Sequence, residues 1–446
     1  MLKRLRKFFE PTPSKTPQML VIEQDHHISK FDVSRSARKV IEQLKHAGYC
    51  AYLVGGGVRD LLLDGHPKDF DVATDATPEQ VKRVCRGSLI IGKRFRIVHV
   101  RFGREIIEVT TFRGSHTQAQ KKEEASQSAR GMLLRDNVYG DIRSDALRRD
   151  FTINALYYDP EDGTILDFAG GLKDLKNRQL RIIGDPNARY KEDPVRMLRA
   201  VRFASRLGFS VEPETEAPIR AHADYIADIP PARLFEEVLK LFMSGYATAM
   251  LTKLREYGLF AHLFPGTDAC LERGNPYDSN LVFAAISNTD KRIRKEQRVT
   301  PAFIYAALLW PQLRVRTKEL TDEHKLGEHE ALQQAADGVI SQQLSYTTIP
   351  KRFLIPMREI WTMQSRLGRR DGNKAYKLME NPRFRAAYDF LLLREQAGER
   401  LDGLGLWWTN FQDADEEKRQ DLVSVLIPEM SRRPRRRRKS KAPPAQ

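Results

Sequence analysis

Two aspartates one residue apart, Asp69 and Asp71, close a stretch that opens Leu-Val-Gly-Gly-Gly-Val-Arg-Asp at Leu53. On a strand, alternate side chains share a face, so the pair is expected to point one way while Phe70 and Val72 enter a core. Two adjacent carboxylates repel and resist joint ionisation. A divalent cation removes that conflict, and oxygen ligands of this kind suit magnesium, which keeps waters and binds substrate phosphates. Upstream, Gly55 and Gly56 let backbone N–H groups come close to a phosphate. A helix start behind them favours negative charge, and Arg59, one turn in, offers a bidentate cation. Glycine amides, metal and paired aspartates around a triphosphate are the equipment of nucleotidyl transfer. A glycine turn followed by an acidic surface strand is the plain alternative. Both features in fixed order, with Arg59 between them, argue against it.

The elements that must position these residues follow from pattern. Ala51 to Val54 reads as a short apolar strand and Val58 to Leu63 as a helix stopping at Gly65. Ser34 to Lys45 is expected to be a helix, with Ala37, Val40, Ile41 and Leu44 on one stripe and Gly48 past its end. Thr77 to Gln80 forms a capping box with proline at the first helical position. Leu89 to Phe102 holds two strand-like runs around Gly92-Lys93-Arg94-Phe95. Lys93, Arg94 and Arg96 suit the phosphates of a nucleotide or primer; a hairpin with a solvated basic face fits the same residues. Glu105 to Phe112 is a β-rich run, with Glu108 opposite Ile107 and Val109. Ser115 to Arg130 reads as a polar, mobile loop. Asp141 to Asp159 reads as helix-like, with Leu147, Phe151 and Ala155 inward. A second helix follows Asp193 as cap and Pro194 as first turn, ends at Gly208, and carries Arg196, Arg199, Arg202 and Arg206 along roughly one face. From Pro218 to about Gln412 helical patterns dominate and no internal repeat stands out.

Leu53 to Asp71 resembles the signature of the nucleotidyltransferase superfamily, in the branch shared by bacterial poly(A) polymerases and CCA-adding enzymes. Leu89 to Val100, with Gly92-Lys93-Arg94-Phe95 and His99, resembles the segment that separates the former from the latter. Arg148-Arg149-Asp150-Phe151-Thr152-Ile153-Asn154-Ala155 is similar to the family motif R-R-D-F-T-x-N-A, and Glu192-Asp193-Pro194-Val195-Arg196 to its nucleotide-selecting E-D-x-x-R. The resemblance covers roughly Phe31 to Phe411 and points to the poly(A) polymerase side. It implies an α+β protein: a nucleotidyltransferase head with a mixed β-sheet, then an all-helical neck and body. It implies that Glu108 joins Asp69 and Asp71 in holding two magnesium ions. It implies that Arg149 and Asp150 serve catalysis and the bound nucleotide, that Asp193 and Arg196 read adenine, and that Arg199 is a further nucleotide contact. The implied reaction is attack of an RNA 3′-hydroxyl on the α-phosphate of ATP, with pyrophosphate leaving beside Gly55, Gly56 and Arg59. The implied partners are RNA-decay components and an RNA chaperone.

Bulk properties agree with a polyanion partner. The 446 residues carry a net charge of +16, which favours nucleic acid first and an anionic membrane second. Half of that excess is local: Arg432 to Lys441 holds eight positive residues and no acid, among them Arg435, Arg436, Arg437 and Arg438. This tail is expected to be disordered and, with Arg202, Lys93 and Arg94, to bind RNA in a salt-dependent way. The expected division is a disordered basic amino end (1–30), a catalytic head (31–170), a helical neck for nucleotide selection and RNA binding (171–265), a helical RNA-binding body (266–430) and the disordered Arg-rich tail (431–446). Cys50, Cys85 and Cys270 are scattered, so buried free thiols in a reducing bacterial cytoplasm are expected rather than zinc or disulfides. No apolar run is long enough to span a membrane, and the chain is read as a monomer. A short amphipathic segment from Leu2 to Phe9 leaves a membrane-surface contact open. The competing functions are a CCA-adding enzyme, a small-molecule nucleotidyltransferase and a noncatalytic RNA-binding protein on a transferase scaffold.

Overall fold

The centre of the amino-terminal half is a mixed sheet assembled from segments far apart in sequence. Its strands are β1 (Val21–Glu23), β2 (Ala51–Val54), β3 (Asp71–Thr74), β4 (Ser88–Ile91), β5 (Ile97–Phe102) and β6 (Glu105–Thr111). After a separate ribbon of β7 (Ala125–Gln127) and β8 (Leu133–Asp136) come β9 (Leu156–Asp159) and β10 (Thr164–Asp167). The order across the sheet is β1-β10-β9-β2-β3-β6-β5-β4, antiparallel throughout except where β3 runs parallel to β6. The computed structural model describes residues 21–92, 96–114, 125–127, 133–136 and 138–426.

Helix α1 (Arg35–His46) is capped by Ser34, whose side chain accepts from the Ala37 amide. It buries Ala37, Val40, Ile41 and Leu44 and packs on β2, β3 and β6. α2 (Gly56–Leu62) follows β2, and α3 (Pro78–Val84) starts with the expected Thr77–Gln80 capping box. Another apolar cluster joins Val54 and Ala73 to Phe112, Tyr157 and Phe168, with Tyr157 meeting Tyr52, Phe112 and Phe168 edge to face. Such a cluster fixes the strand faces, because a one-residue slip would turn every ring outward.

Four expectations need correction. Asp69 precedes β3 rather than lying on it, although Phe70 and Val72 are buried as expected. The segment read as one helix through residue 156 is α4 (Ile142–Arg148), a 3₁₀ turn (Thr152–Asn154) and then β9. Arg149 adopts an extended backbone, Asp150 accepts from the amide of Phe151, and Phe151 bridges to Ile182, so the helix stops and Leu147 stays exposed. Within 1–30, Val21–Glu23 pairs with β10 and Lys30 opens a capped 3₁₀ turn, so that stretch is structured; residues 1–20 lie outside the described residues. Cys50 is exposed, whereas Cys85 and Cys270 are buried.

After α5 (Gly171–Lys176), the parallel pair β11 (Gln179–Leu180) and β12 (Ser210–Val211) brackets α6 (Pro186–Glu192) and α7 (Val195–Leu207). Asp193, expected to cap α7, instead closes α6, and Pro194, expected in the first turn, takes the cap position; Gly208 closes α7 at φ 66° as expected. The chain divides into two compact units: 1–229 with 256–259, and 230–255 with 260–446. The second is helical, from Pro231–Phe242 to Glu416–Ser424. Two of its buried tryptophans spend their ring N–H groups on helix carbonyls, Trp361 on Ala306 and Trp408 on Leu367, and Trp310 donates to the Tyr277 hydroxyl. Among the described residues, no helix is long and apolar enough to cross a membrane.

Candidate active site

The parallel register sets Asp71, the first residue of β3, directly beside Glu108 of β6, with His99 of β5 opposite Glu108 in turn. Directly paired residues project to one face, so the two carboxylates share it. Glu108 Oε1 lies 3.2 Å from His99 Nε2. Burial, then the charge of Glu108, pushes the Asp71 carboxyl up to about 6, with Arg149 pulling the other way and Asp69 adding to the rise. Oxygen donors set side by side in this way fit a divalent cation, which relieves the charge conflict between them. The third expected ligand is less advanced. Asp69 is exposed on the loop before β3, Glu108 leans to His99, and among the described residues no three such groups converge at ligating distance.

At the end of β2, Gly55 turns the chain at φ 74° into α2. That backbone suits glycine, and a Cβ there would meet Arg149 Nη1 at 3.4 Å. A Cβ on Gly56 would meet Arg59 Nη2 at 3.5 Å. The turn therefore lies against two guanidinium groups.

Those guanidiniums are held differently. Arg59 was expected to face phosphate, but it is 2% exposed. It donates from Nη1 to Asn154 Oδ1 at 2.6 Å and from Nε and Nη2 to Asp60. It ties α2 to the 3₁₀ turn rather than reaching outward. Arg149 donates from Nε and Nη2 to Asp145 Oδ2, and from Nε to the Tyr157 hydroxyl, while its Nη1 points to the glycine turn. Burial opposes its charge, but Tyr157 and Asp145 hold it firmly protonated.

Asp150 lies between the sheet and α7. One carboxylate oxygen accepts from the Phe151 amide and Asn154, and the other takes Arg199 Nε at 2.6 Å. Burial would push this carboxyl up, yet Arg199, Asn154 and that amide bring it down to about 2. On α7, the ring of Phe203 carries Arg59, Arg199 and Arg202 at 5.0–5.1 Å from its centroid. The arginine stripe is thus partly a packed face. Arg196 is buried and donates to the Arg189 carbonyl and to Glu192, and Asp193 is half-buried at the α6–α7 junction. Lys93, Arg94 and Arg435 to Arg438 lie outside the described residues.

Sequence reasoning missed the supports. Arg189 donates from Nη2 to the carbonyls of Arg148 and Arg149 and from Nη1 to Glu192, clamping one motif to the other. Tyr157 and Asp145 seat Arg149, and Asn154 joins Arg59 to Asp150. The i,i+4 spacing of Asp145 and Arg149 was a readable signal; Arg189 and Tyr157 offered none.

Three family models match in order: the Poly A polymerase head domain over residues 51–181, the probable RNA and SrmB-binding site of polymerase A over 208–271, and the polymerase A arginine-rich C-terminus over 324–442. Poly(A) polymerase I of Salmonella typhimurium is 47% identical over 96% of this chain and 93% of its own length. That of Haemophilus influenzae is 44% identical over 92% and 93%. The CCA-adding enzyme of Levilactobacillus brevis is 39% identical, but over 53% of this chain and 57% of its own length. Among solved structures, the Bacillus stearothermophilus CCA-adding enzyme in complex with CTP superposes with a TM-score of 0.50 at 27% identity, covering 88% of this chain and 84% of that one. A tRNA-processing enzyme in an apo form reaches 0.55 at 21% identity, over 86% and 99%, a likeness of fold. By sequence along nearly its whole length, the chain belongs to the bacterial poly(A) polymerase family.

Proposed function

We infer that this chain adds AMP from ATP to RNA 3′ ends without a template, releasing pyrophosphate. One observation carries the reading: the sequence likeness to a poly(A) polymerase runs through 96% of the chain at 47% identity, whereas that to the CCA-adding enzyme of Levilactobacillus brevis covers 53% of it at 39%.

The residues take these parts. Asp71 and Glu108, with Asp69 drawn in from its loop, would hold magnesium, for which their donor set and mutual repulsion fit. The chemistry that magnesium supplies when bound is activation of the RNA 3′-hydroxyl and neutralisation of charge on the departing pyrophosphate. The backbone amide of Gly56, with Arg149 Nη1 beside the turn, receives the triphosphate; the Gly55 amide is given to the Leu156 carbonyl, so that residue contributes the turn itself. Asp150 fixes Arg199 and offers a carboxylate near the ribose. Arg59, buried on Asn154 and Asp60, positions the glycine turn rather than touching phosphate. Asp193 and Arg196, held to α6 through Glu192 and Arg189, meet the base edge, where an acid and a guanidinium supply acceptor and donors together. Arg202, Lys93, Arg94 and the basic tail grip RNA. Most of the rate comes from positioning and preset charge. The proposal includes the division into head (31–170), neck (171–265) and body (266–430). It also includes a monomer in the bacterial cytoplasm, with RNA-decay components and an RNA chaperone as partners.

Primer extension with magnesium and one nucleotide at a time is the test. Long ladders with ATP alone on an unstructured RNA uphold the reading. Two cytidines and one adenosine added to a tRNA lacking its CCA end, with no ladder, overturn it in favour of CCA addition. No extension of either substrate leaves an RNA-binding protein on a transferase scaffold.

A further inference from the structure

The helical unit contains a basic cavity of about 630 Å³, well away in sequence from every motif above and within the range of small-ligand sites. Its wall is made by the end of the helix Pro276–Arg294, the loop after it, the start of Pro301–His324 and one side of Phe384–Gln396 along its length. Six cations line it: Lys291, Arg292, Lys295, Arg298, Arg383 and Arg385. Asp389 is the one acid in that lining, paired to Arg385 at 3.1 Å and to Arg292 at 4.0 Å. Arg383 is held by Glu359. Among the described residues, the side chains of Lys291, Lys295 and Arg298 have no ion-pair partner.

Fold stability explains part of this set. Lys291 and Arg292 stand at a helix carboxyl end, where positive charge is favourable. Arg383 and Arg385 stand at the opposite kind of terminus, the amino end of Phe384–Gln396, where positive charge is unfavourable. The 24-residue helix from Pro301 also presents its amino end to the cavity, through Thr300 and Phe303. Its dipole adds to the positive potential. So cations and a helix amino terminus converge where only an anion gains from them. The floor is different in kind: Phe303, half-buried and packed edge to face on Phe390, with Leu392 and Leu393 beside it. Phosphate-binding rims around an aromatic floor are the arrangement that tracks a single strand while stacking a base.

We propose that this cavity is a second RNA-binding site, which takes the phosphates and one stacked base of a single-stranded segment. It rests on the reading of RNA as substrate and adds a place for it between residues 288–303, which none of the three matching family models covers, and residues 382–396, within the arginine-rich C-terminus. Six cations against one acid make the grip mainly electrostatic.

The test uses the full chain and an oligo(A) 20-mer. Lys295→Glu/Arg298→Glu reverses two exposed charges in the cavity; Arg316→Glu/Lys318→Glu makes the same change in net charge outside it. The cavity pair is expected to weaken binding about tenfold and to flatten the slope of log affinity against log salt by about 1.4, two phosphate contacts at about 0.7 each. The outside pair is expected to change affinity less than about twofold. At saturating primer, kcat stays at the wild-type level for both. Phe303→Leu, which keeps an apolar floor, is expected to weaken binding about threefold with the salt slope unchanged. Equal losses from the two double variants, or none from the cavity pair, would overturn the proposal. A wild-type chain that extends no RNA would sink the polymerase reading instead, and that result is visible before any variant is made.

Discussion

Two sides of the candidate active site are built on opposite electrostatic plans. Asp71 and Asp150 are both substantially buried aspartates of one small unit, yet one sits at about 6 and the other at about 2. Across β3 and β6, like charges stand in register with few partners to offset them. Around α6 and α7, carboxylates are matched by guanidiniums: Asp150 with Arg199, Glu192 with Arg189 and Arg196, and, on α4, Asp145 with Arg149. The arginine side is therefore assembled by folding. The carboxylate side is held against its own repulsion by strand pairing, and gains only when a cation is bound.

The sharpest way to break this comparison is Asp71→Asn. Transfer is expected to fall by at least about 10³-fold, since a metal-bearing carboxylate is lost. The variant is expected to melt about 2–6 °C higher than wild type in EDTA at pH 7.5, because a folded-state value above the unfolded one makes ionised Asp71 a cost. That cost is complete above pH 6 and disappears as pH falls from about 6 towards 4, so the two melting curves should meet there. Equal melting temperatures at pH 7.5 would contradict the burial cost and the Glu108 repulsion that together raise Asp71.

Arg199→Ala should do the reverse. It leaves Asp150 buried without its guanidinium, and a loss of about 2–4 kcal/mol is expected in urea denaturation, with activity down about 10²-fold. Here the folded value is depressed, so the wild-type advantage is present above pH 4 and fades as pH falls through about 4 towards 2. Gly55→Ala tests the junction between the two sides. A left-handed turn and a Cβ at 3.4 Å from Arg149 Nη1 should cost about 1–2 kcal/mol and raise KM for ATP about tenfold. Glu192→Gln is the mildest: Arg189 still holds the Arg148 and Arg149 carbonyls, so ATP-over-CTP preference should drop only about threefold in single-nucleotide extension. A drop as large as that of Arg196→Ala would mean Glu192 itself meets the base.

Much of this was legible in the chain. Ser34, Thr77 and Gly208 marked helix ends because capping is local chemistry, and the structure places caps at each. Gly55 was legible because few residues tolerate its backbone. Residues 148–156 were not: Leu147, Phe151 and Ala155 keep helical spacing, and only the distant partner Ile182 and the Asp150 side chain decide against a helix. Arg59 misled in a related way. A cation one turn past a glycine loop points to phosphate until Asn154, 95 residues later, claims it. Asp71 beside Glu108 required the parallel register itself, which neither strand encodes alone.

That register has a consequence for synthesis. β2 is flanked by β3 and by β9, whose Tyr157 and Tyr158 pair with Val54 and Leu53 about a hundred residues upstream. Closing so long a loop must precede any return from the contacts it brings. A nascent chain that has delivered both carboxylates but not β9, α6 and α7 lacks the strand that fixes the glycine turn and the arginines beside it. Such a ribosome-bound fragment should be inert towards RNA ends, so polymerising activity switches on only late in translation, once the nucleotide-binding half has emerged.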